Sequence, residues 1–408
     1  MAVFEYSASR ASYQELPTGL RELAASGDIH RLQYPDGNVG WIVTGYEVAK
    51  ELLRSDALSA NSLHKQPPVS RSGAQPFLGE VARPGWLVDM DPPDHTIIRK
   101  VLTPFFSRRR IDKLEISARG WVSDALDAIS GDDGAVDLID TFALRVPSDG
   151  ICELLGVPVS AQSAFQHATE TLFQLDASPT AAVRAMEELE EIARATLDEQ
   201  SAKEGSLSFA LNSELDSDSA VGCMVLLMTA GHETTANSLG LALLYILRDR
   251  EVWNHVVATP GDISVVVEEL LRISTIFQFG VPRSVLRPTT IQGVELEPGE
   301  LVTISLSTAN RDQRVFGHPD DIVLSRREAS HLAFGHGIHH CVGQNLARLE
   351  LTVALEGFVS RFPLAALATD ALSIPLRTDM GIFGLHELPV YLKGERRTPS
   401  SDSRSRSH

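Results

Sequence analysis

The chain has 408 residues, 43% of them hydrophobic and 6% aromatic, with three Cys and a net charge of −18 from 36 basic and 54 acidic residues. That apolar content supports a sizeable core and excludes a wholly disordered chain, and three cysteines make no disulfide framework. The acidic balance argues against a nucleic-acid partner.

In chain order, a short helix is expected over Pro17 to Ala25, then a small sheet around Gly40 to Val43 and a helix through Val48 to Leu53. Pro67 to Pro84, rich in Pro, Ser and Gly, reads as a loop. From Pro93 to about Leu211 the apolar spacing is mostly helical, with one helix stopped at Gly156 and Pro158. Residues 183 to 203 form a charged surface helix. Ser219 to Asp249 follows, about thirty residues without proline that would span ~45 Å as a helix. The longest largely apolar run, Val221 to Ala230, lies inside it and is far short of the ~20 residues a bilayer span takes. A second helix covers Ile263 to Ile273, and short strands fall between Ile291 and Ser307. The last long helix runs from after Cys341 to before Pro363. Residues 395–408 form a low-complexity tail expected to be disordered. The N-terminus carries no basic stretch followed by an apolar one, so a cytoplasmic protein without a membrane segment is expected.

Chemistry concentrates first at His331 to Gly343. Gly335, Gly337 and Gly343 fall within nine residues and make a tight loop that lets backbone amides approach a group closely. An amphipathic run follows at once, so Cys341 opens a helix, where free N–H groups and the macrodipole favour a thiolate. A thiolate there is a metal ligand or a nucleophile, and the plain alternative is a structural cysteine beside a glycine turn. Cys152 and Cys223 sit in apolar helical contexts and read as core thiols.

The second concentration is Ala230-Gly231-His232-Glu233-Thr234-Thr235, a polar break in an apolar helix. Such groups cost stability inside a core unless they are used, and Thr hydroxyls bond back to the preceding turn. Further along, Glu269 and Arg272 are spaced i, i+3 on one helix face, a pattern that by itself is only a surface pair. Finally, Asp91 to Arg99 starts a helix with Pro in its first turn, and His95 and Arg99 lie i, i+4 on one side.

The complete Phe334-Gly-x-Gly-x-His339-x-Cys341-x-Gly343 pattern resembles the haem-thiolate loop of the cytochrome P450 family, most like its actinobacterial members. The Ala-Gly-x-acid-Thr-Thr segment is similar to that family's oxygen-binding helix, and Glu269-x-x-Arg272 falls in the family's order between the two. Together these motifs cover residues 86 to 343. The resemblance implies a mainly α fold with a small β-rich part, about 28–60 and 285–310, in one domain of residues 1–394. Haem b would lie between the Thr-containing helix and the helix after the cysteine, with the Cys341 thiolate as axial ligand and Phe334 and Gly343 against it.

By the same resemblance, His95, Arg99, Arg283 and His339 hold the haem propionates, and Ala230 and Gly231 leave room for dioxygen. Glu233 and Thr234 deliver protons, and Glu269, Arg272 and Arg326 form a buried structural ion-pair network. Leu87, Leu172, Phe277, Val281 and Ile382 line the substrate pocket. After Arg283 the chain departs from the family's usual Ala, acid, Asp, with Ser284-Val285-Leu286 in their place.

The activity implied is a monooxygenase that hydroxylates, epoxidises or oxidatively couples a lipophilic organic substrate in natural-product tailoring. It would act as a monomer and take electrons from NAD(P)H through a ferredoxin reductase and a ferredoxin. Phe106 to Arg110 with Lys113 is a basic island suited to an acidic ferredoxin. Two rivals stand beside this reading. The first is a zinc site among His331, His336, His339, His340 and Cys341, for which the ligand spacing is wrong. The second is a haem-binding sensor or carrier, which needs no Glu233-Thr234 pair.

Overall fold

The computed structural model describes residues 3–72, 79–129, 134–200, 204–326 and 330–394. The tail expected at 395–408 and part of the Pro67 to Pro84 loop, residues 73–78, lie outside them.

Helix dominates, and one helix organises the rest. Ser217–Arg248 runs unbroken for 32 residues, about 48 Å at 1.5 Å per residue. Asp216 caps its first turn by accepting a hydrogen bond from the Ser219 N–H at 3.0 Å. It ends at Asp249, whose carboxylate caps the next helix, Arg250–Ala258, through the Glu251 and Val252 N–H groups. Ala220 to Met228 pack into one hydrophobic cluster, with Ile151, Phe165 and Leu189. Leu239 to Leu247 pack into a second, with Phe142, Trp253 and Phe358. A helix apolar on every face belongs in an interior, and this one threads two cores end to end. The polar stretch 230–235 falls between them, and the helix continues through it without a break.

The helix Arg145–Leu155 crosses the long helix and stops where Gly156 takes a left-handed conformation, φ 78°, its N–H bonded to the Cys152 carbonyl, as the Gly-Pro signal implied. Gln344–Arg361 runs beside Glu115–Ile129 and also contacts the long helix. The charged helix is Pro179–Gln200, and the second predicted helix is Ile263–Ser274.

The strands are β1 (Val3–Glu5), β2 (Ile29–Gln33), β3 (Val39–Val43), β4 (Leu58–Ser59), β5 (Ala135–Asp137), β6 (Val281–Val285), β7 (Thr289–Ile291), β8 (Val294–Leu296), β9 (Leu301–Ile304), β10 (Ala366–Leu367) and β11 (Pro389–Tyr391). Six form one sheet in the order β1-β2-β3-β9-β6-β4. Its centre is the parallel pair β3–β9, with Trp41 opposite Val302 and Val43 opposite Ile304. At the departure after Arg283, Ser284 pairs with Leu301 on one side and Ser59 on the other. β7 and β8 make a hairpin, and β10-β11-β5 a third sheet. The expected β-rich ranges missed β1, most of β6 and all of this third sheet, whose strands of two or three residues are too short to show a period-2 pattern. Among the described residues no helix is long and apolar enough to cross a membrane.

Candidate active site

A cavity of about 450 Å³ opens between the long helix and the loop that carries Cys341. From the long helix, Ala230, Gly231, Thr234, Thr235 and Ser238 line it; from the loop and the helix after it come Phe334, Gly335, Cys341, Gly343 and Ala347.

The Cys341 loop is held by its own backbone. The Cys341 N–H donates to the Phe334 carbonyl at 2.9 Å and Gly335 N–H to Leu332 at 2.8 Å, which turns the thiol toward the cavity. Gly335 and Gly337 have φ of 69° and 74°, where an L side chain is strained. The helix proper starts at Gln344, so Cys341 stands just ahead of its N-terminus. Burial pushes the thiol above its ordinary pKa, while the Gly343 and Gln344 N–H groups with Arg99 and Arg348 pull the other way. A cation bonded to sulfur would tip that balance fully to thiolate. No cation faces the thiols of Cys152 and Cys223, and burial pushes each up to about 12, Ser148 opposing only weakly at Cys152.

One edge of the cavity is crowded with cations. Arg99, Arg283 and His339 line it, and Lys65 from the loop joins them, paired with Asp89. His95, expected at this edge, does not itself line the cavity but packs against His339, with ring centroids 4.4 Å apart and planes tilted by 54°. Both His95 nitrogens and His339 Nε2 are buried without a hydrogen-bond partner, and the Arg283 guanidinium finds only the Pro282 carbonyl at 2.8 Å. Desolvation lowers the pKa of both histidines, that of His339 to about 2 with Arg283 adding to the effect. Adjacent imidazoles and guanidiniums with donors to spare fit an anionic group at that edge. Haem meets all of these requirements: an apolar slot, a sulfur facing it, and unpaired donors where its carboxylates would lie. The Asp94–Leu102 helix holds His95 and Arg99 on one side as expected, but Pro93 stands at its cap and not inside its first turn.

On the long helix, Thr234 donates its hydroxyl to the Ala230 carbonyl at 2.6 Å and faces the cavity. Glu233 does not line it. Consecutive helical residues point ~100° apart, and the Glu233 carboxylate is drawn to Asn237 Nδ2 at 3.0 Å and Arg377 Nη2 at 3.3 Å. Burial nevertheless pushes its pKa up, with Arg377 and Asn237 opposing. A Cβ on Gly231 would come within 2.8 Å of Ile151 Cδ1, so the room this glycine leaves is filled by Ile151.

Behind the loop, Glu269 takes two 2.8 Å hydrogen bonds from Arg272, 3.0 Å contacts from Arg326 Nε to both oxygens, and the Val323 N–H at 3.0 Å. A second pairing was invisible in sequence: Glu268 joins Arg348 Nε at 2.6 Å and His331 at 3.2 Å, which holds its carboxyl near pKa 2. The histidines around Cys341 thus diverge, and among the described residues no three of His, Cys, Asp or Glu converge as metal ligands.

Of the expected pocket residues, Leu87, Phe277, Val281 and Ile382 line the cavity and Leu172 does not; its neighbour Phe173 takes that place. The α-helix ends at Phe173, where one residue decides which side chain turns inward. Sequence reading also passed over Lys65, Arg71 and Glu350, all on the cavity wall. Glu350 is fully buried and pushed well above the usual carboxyl range, with Thr235 as a stabilising neighbour. Arg377, on a turn far along the chain, carried no local pattern that could have marked it.

A cytochrome P450 family model matches residues 263–393. Cytochrome P450-SU2 of Streptomyces griseolus is 34% identical over 372 residues, 90% of this chain and 92% of its own length. A 20-oxo-5-O-mycaminosyltylactone 23-monooxygenase of Streptomyces fradiae is 32% identical over 92% of this chain and 89% of its own. Among solved structures, a mycinamicin VIII C21 methyl hydroxylase of Micromonospora griseorubida superposes with a TM-score of 0.87 at 29% identity, over 96% of this chain and all of the other.

Proposed function

The chain belongs to the cytochrome P450 family and is a haem-thiolate monooxygenase, and we propose that it hydroxylates or epoxidises a lipophilic intermediate in natural-product tailoring. One observation carries this reading: the Cys341 sulfur and the Thr234 hydroxyl line a single cavity whose edge is set with unpartnered His and Arg donors. Relatives named as a 20-oxo-5-O-mycaminosyltylactone 23-monooxygenase and a mycinamicin VIII C21 methyl hydroxylase support the substrate class.

Cys341 would hold haem by its thiolate, and His95, Arg99, Arg283 and His339 would bind its carboxylates through charge-assisted hydrogen bonds. Bound there, haem held by the Cys341 thiolate would supply the oxygen-activating chemistry. The protein's own work is positional. Phe334, Leu87, Phe277, Val281 and Ile382 present apolar walls that orient an organic molecule and exclude water. Thr234 holds a hydroxyl proton at the cavity face of the long helix, next to Ala230. Glu233, kept behind it by Arg377 and Asn237, is a buried carboxyl that would serve as a reserve of protons. Electrons are taken to come from NAD(P)H through a ferredoxin. Its docking surface would be Arg108, Arg109, Arg110 and Lys113, exposed beside Phe106, whose carbonyl accepts a hydrogen bond from Asn345 of the cysteine-loop helix at 2.9 Å.

The deciding experiment is the optical spectrum of the reduced, CO-treated protein alongside Cys341→Ser. A red-shifted Soret band that Cys341→Ser abolishes is expected. An unshifted band in the parent chain would overturn the haem-thiolate reading, and an intact band without turnover of any organic substrate would leave a haem carrier.

A further inference from the structure

The charged side chains on the cavity wall fall into separate groups. Lys65 is paired with Asp89, Arg99 and Arg283 belong to the cationic edge, and Glu350, with neither oxygen partnered, has its pKa pushed well up by burial. Arg71 belongs to none of these. It sits apart from that edge, where three segments meet: its own loop, the end of the helix Gln162–Phe173, and the turn 379–382. The Ser72 N–H bonds to the Leu175 carbonyl, Leu175 N–H to Asp379, and Gly381 N–H to Phe173, so this corner is knitted by backbone. Arg71 Nη2 donates to the Leu172 carbonyl at 3.3 Å, and its Nε is out of solvent with no partner. Among the described residues no carboxylate pairs with it; burial lowers its pKa and no opposing charge raises it. Residues 73–78, which follow, read Gly-Ala-Gln-Pro-Phe-Leu and bring no acid either.

The corner is also shaped for a guanidinium. A Cβ on Gly381 would lie 3.1 Å from Arg71 Nη2 and 3.3 Å from the Phe173 ring, so a glycine keeps the space open. A guanidinium stays protonated even when desolvated, and a buried cation without a partner is costly. Such a group in a binding cavity finds its counter-charge on the ligand.

We propose that Arg71 is a specificity-determining residue that pairs with a carboxylate on the substrate, whose apolar body lies along Phe173 and Ile382. The substrate class is therefore an amphiphilic carboxylic acid. This deepens the monooxygenase reading and rests on it.

The test is a spectral titration of the ferric holoenzyme, read as the substrate-induced Soret shift. The probes are three carboxylic acids of different body (dodecanoic acid, 4-phenylbutanoic acid and indole-3-butanoic acid), each with its methyl ester. At least one acid is expected to bind about tenfold or more tightly than its ester. Arg71→Gln and Arg71→Ala should remove that preference, leaving ester affinity within about twofold, and Arg71→Lys should restore part of it. Acids and esters that bind alike, no acid that shifts the spectrum, or a preference that survives in Arg71→Gln would each overturn the assignment. The reduced-CO spectrum is recorded on the same preparations. If it lacks the red-shifted band the monooxygenase reading itself fails; if it is intact, a missing acid preference counts against Arg71 alone.

Discussion

Replacing Glu269 with Ala tests how this fold tolerates buried charge. The carboxylate is 3% exposed and Arg272 is 1% exposed, with Arg326 at 7%. Five contacts converge on its two oxygens, four of them from guanidinium nitrogens. Alanine leaves Arg272 with only the Asn310, Pro319 and Asp321 carbonyls, which hold its protons but do not offset its charge. Removing one partner of a buried pair costs ~3–5 kcal/mol, against ~5–15 kcal/mol of total stability for a folded protein. The assay is urea unfolding of the holoprotein, followed by helical circular dichroism, by haem absorbance and by tryptophan fluorescence, Trp41 and Trp253 both being buried. A midpoint lowered by a third or more of its parent value is expected. The triple variant Glu269→Leu, Arg272→Met, Arg326→Met should recover most of that loss, because apolar side chains of similar volume need no counter-charge. A single Glu269→Ala variant within ~1 kcal/mol of the parent chain would refute the reasoning. So would a triple variant no better than the single one.

Thr234→Ala removes the cavity-lining hydroxyl that bonds to the Ala230 carbonyl, and a severalfold loss of product per NAD(P)H consumed is expected, with binding spectra unchanged. Gly384→Ala would place a methyl 1.8 Å from Asn237 Oδ1, so it should cost ~1–3 kcal/mol in the urea assay and disturb the Glu233 clamp. His232, fully buried against the Leu144 carbonyl, has its pKa lowered by desolvation to about 4. The unfolded chain binds that proton first as pH falls through ~6.5, so stability should drop by on the order of 3 kcal/mol between there and pH 4, and His232→Gln should flatten this slope. Reversing Arg109 and Arg110 to Glu should slow ferredoxin-driven turnover several-fold and spare peroxide-driven turnover; equal effects would remove these residues from the docking surface.

The long helix, the cysteine loop and the Glu269–Arg272 spacing were legible because each depends on neighbours in sequence. Some thirty residues without proline, apolar on both sides of one short polar break, form one buried helix, and glycines set around a cysteine announce a tight loop. What escaped depends on distance. Arg377 reaches Glu233 across 144 positions, and Arg71 meets the cavity only because its loop is tied to residues a hundred further on. Whether Leu172 or Phe173 turns inward rests on where a helix stops, which composition does not fix to one residue. The position of Glu233 behind Thr234 was likewise settled by a distant cation, not by the motif itself.

The long helix threads two hydrophobic clusters, with residues 229–238 belonging to neither. The long helix therefore joins two separately tunable blocks at a seam. Substitutions at Leu189 in one block and Phe142 in the other share no contacts and should combine additively in free energy. Pairs drawn from the seam, such as Ile151 with Gly231, should not. For a lineage acquiring new substrates, this means the scaffold can absorb change in its bulk while coupled, order-dependent change is confined to the few positions around the cavity.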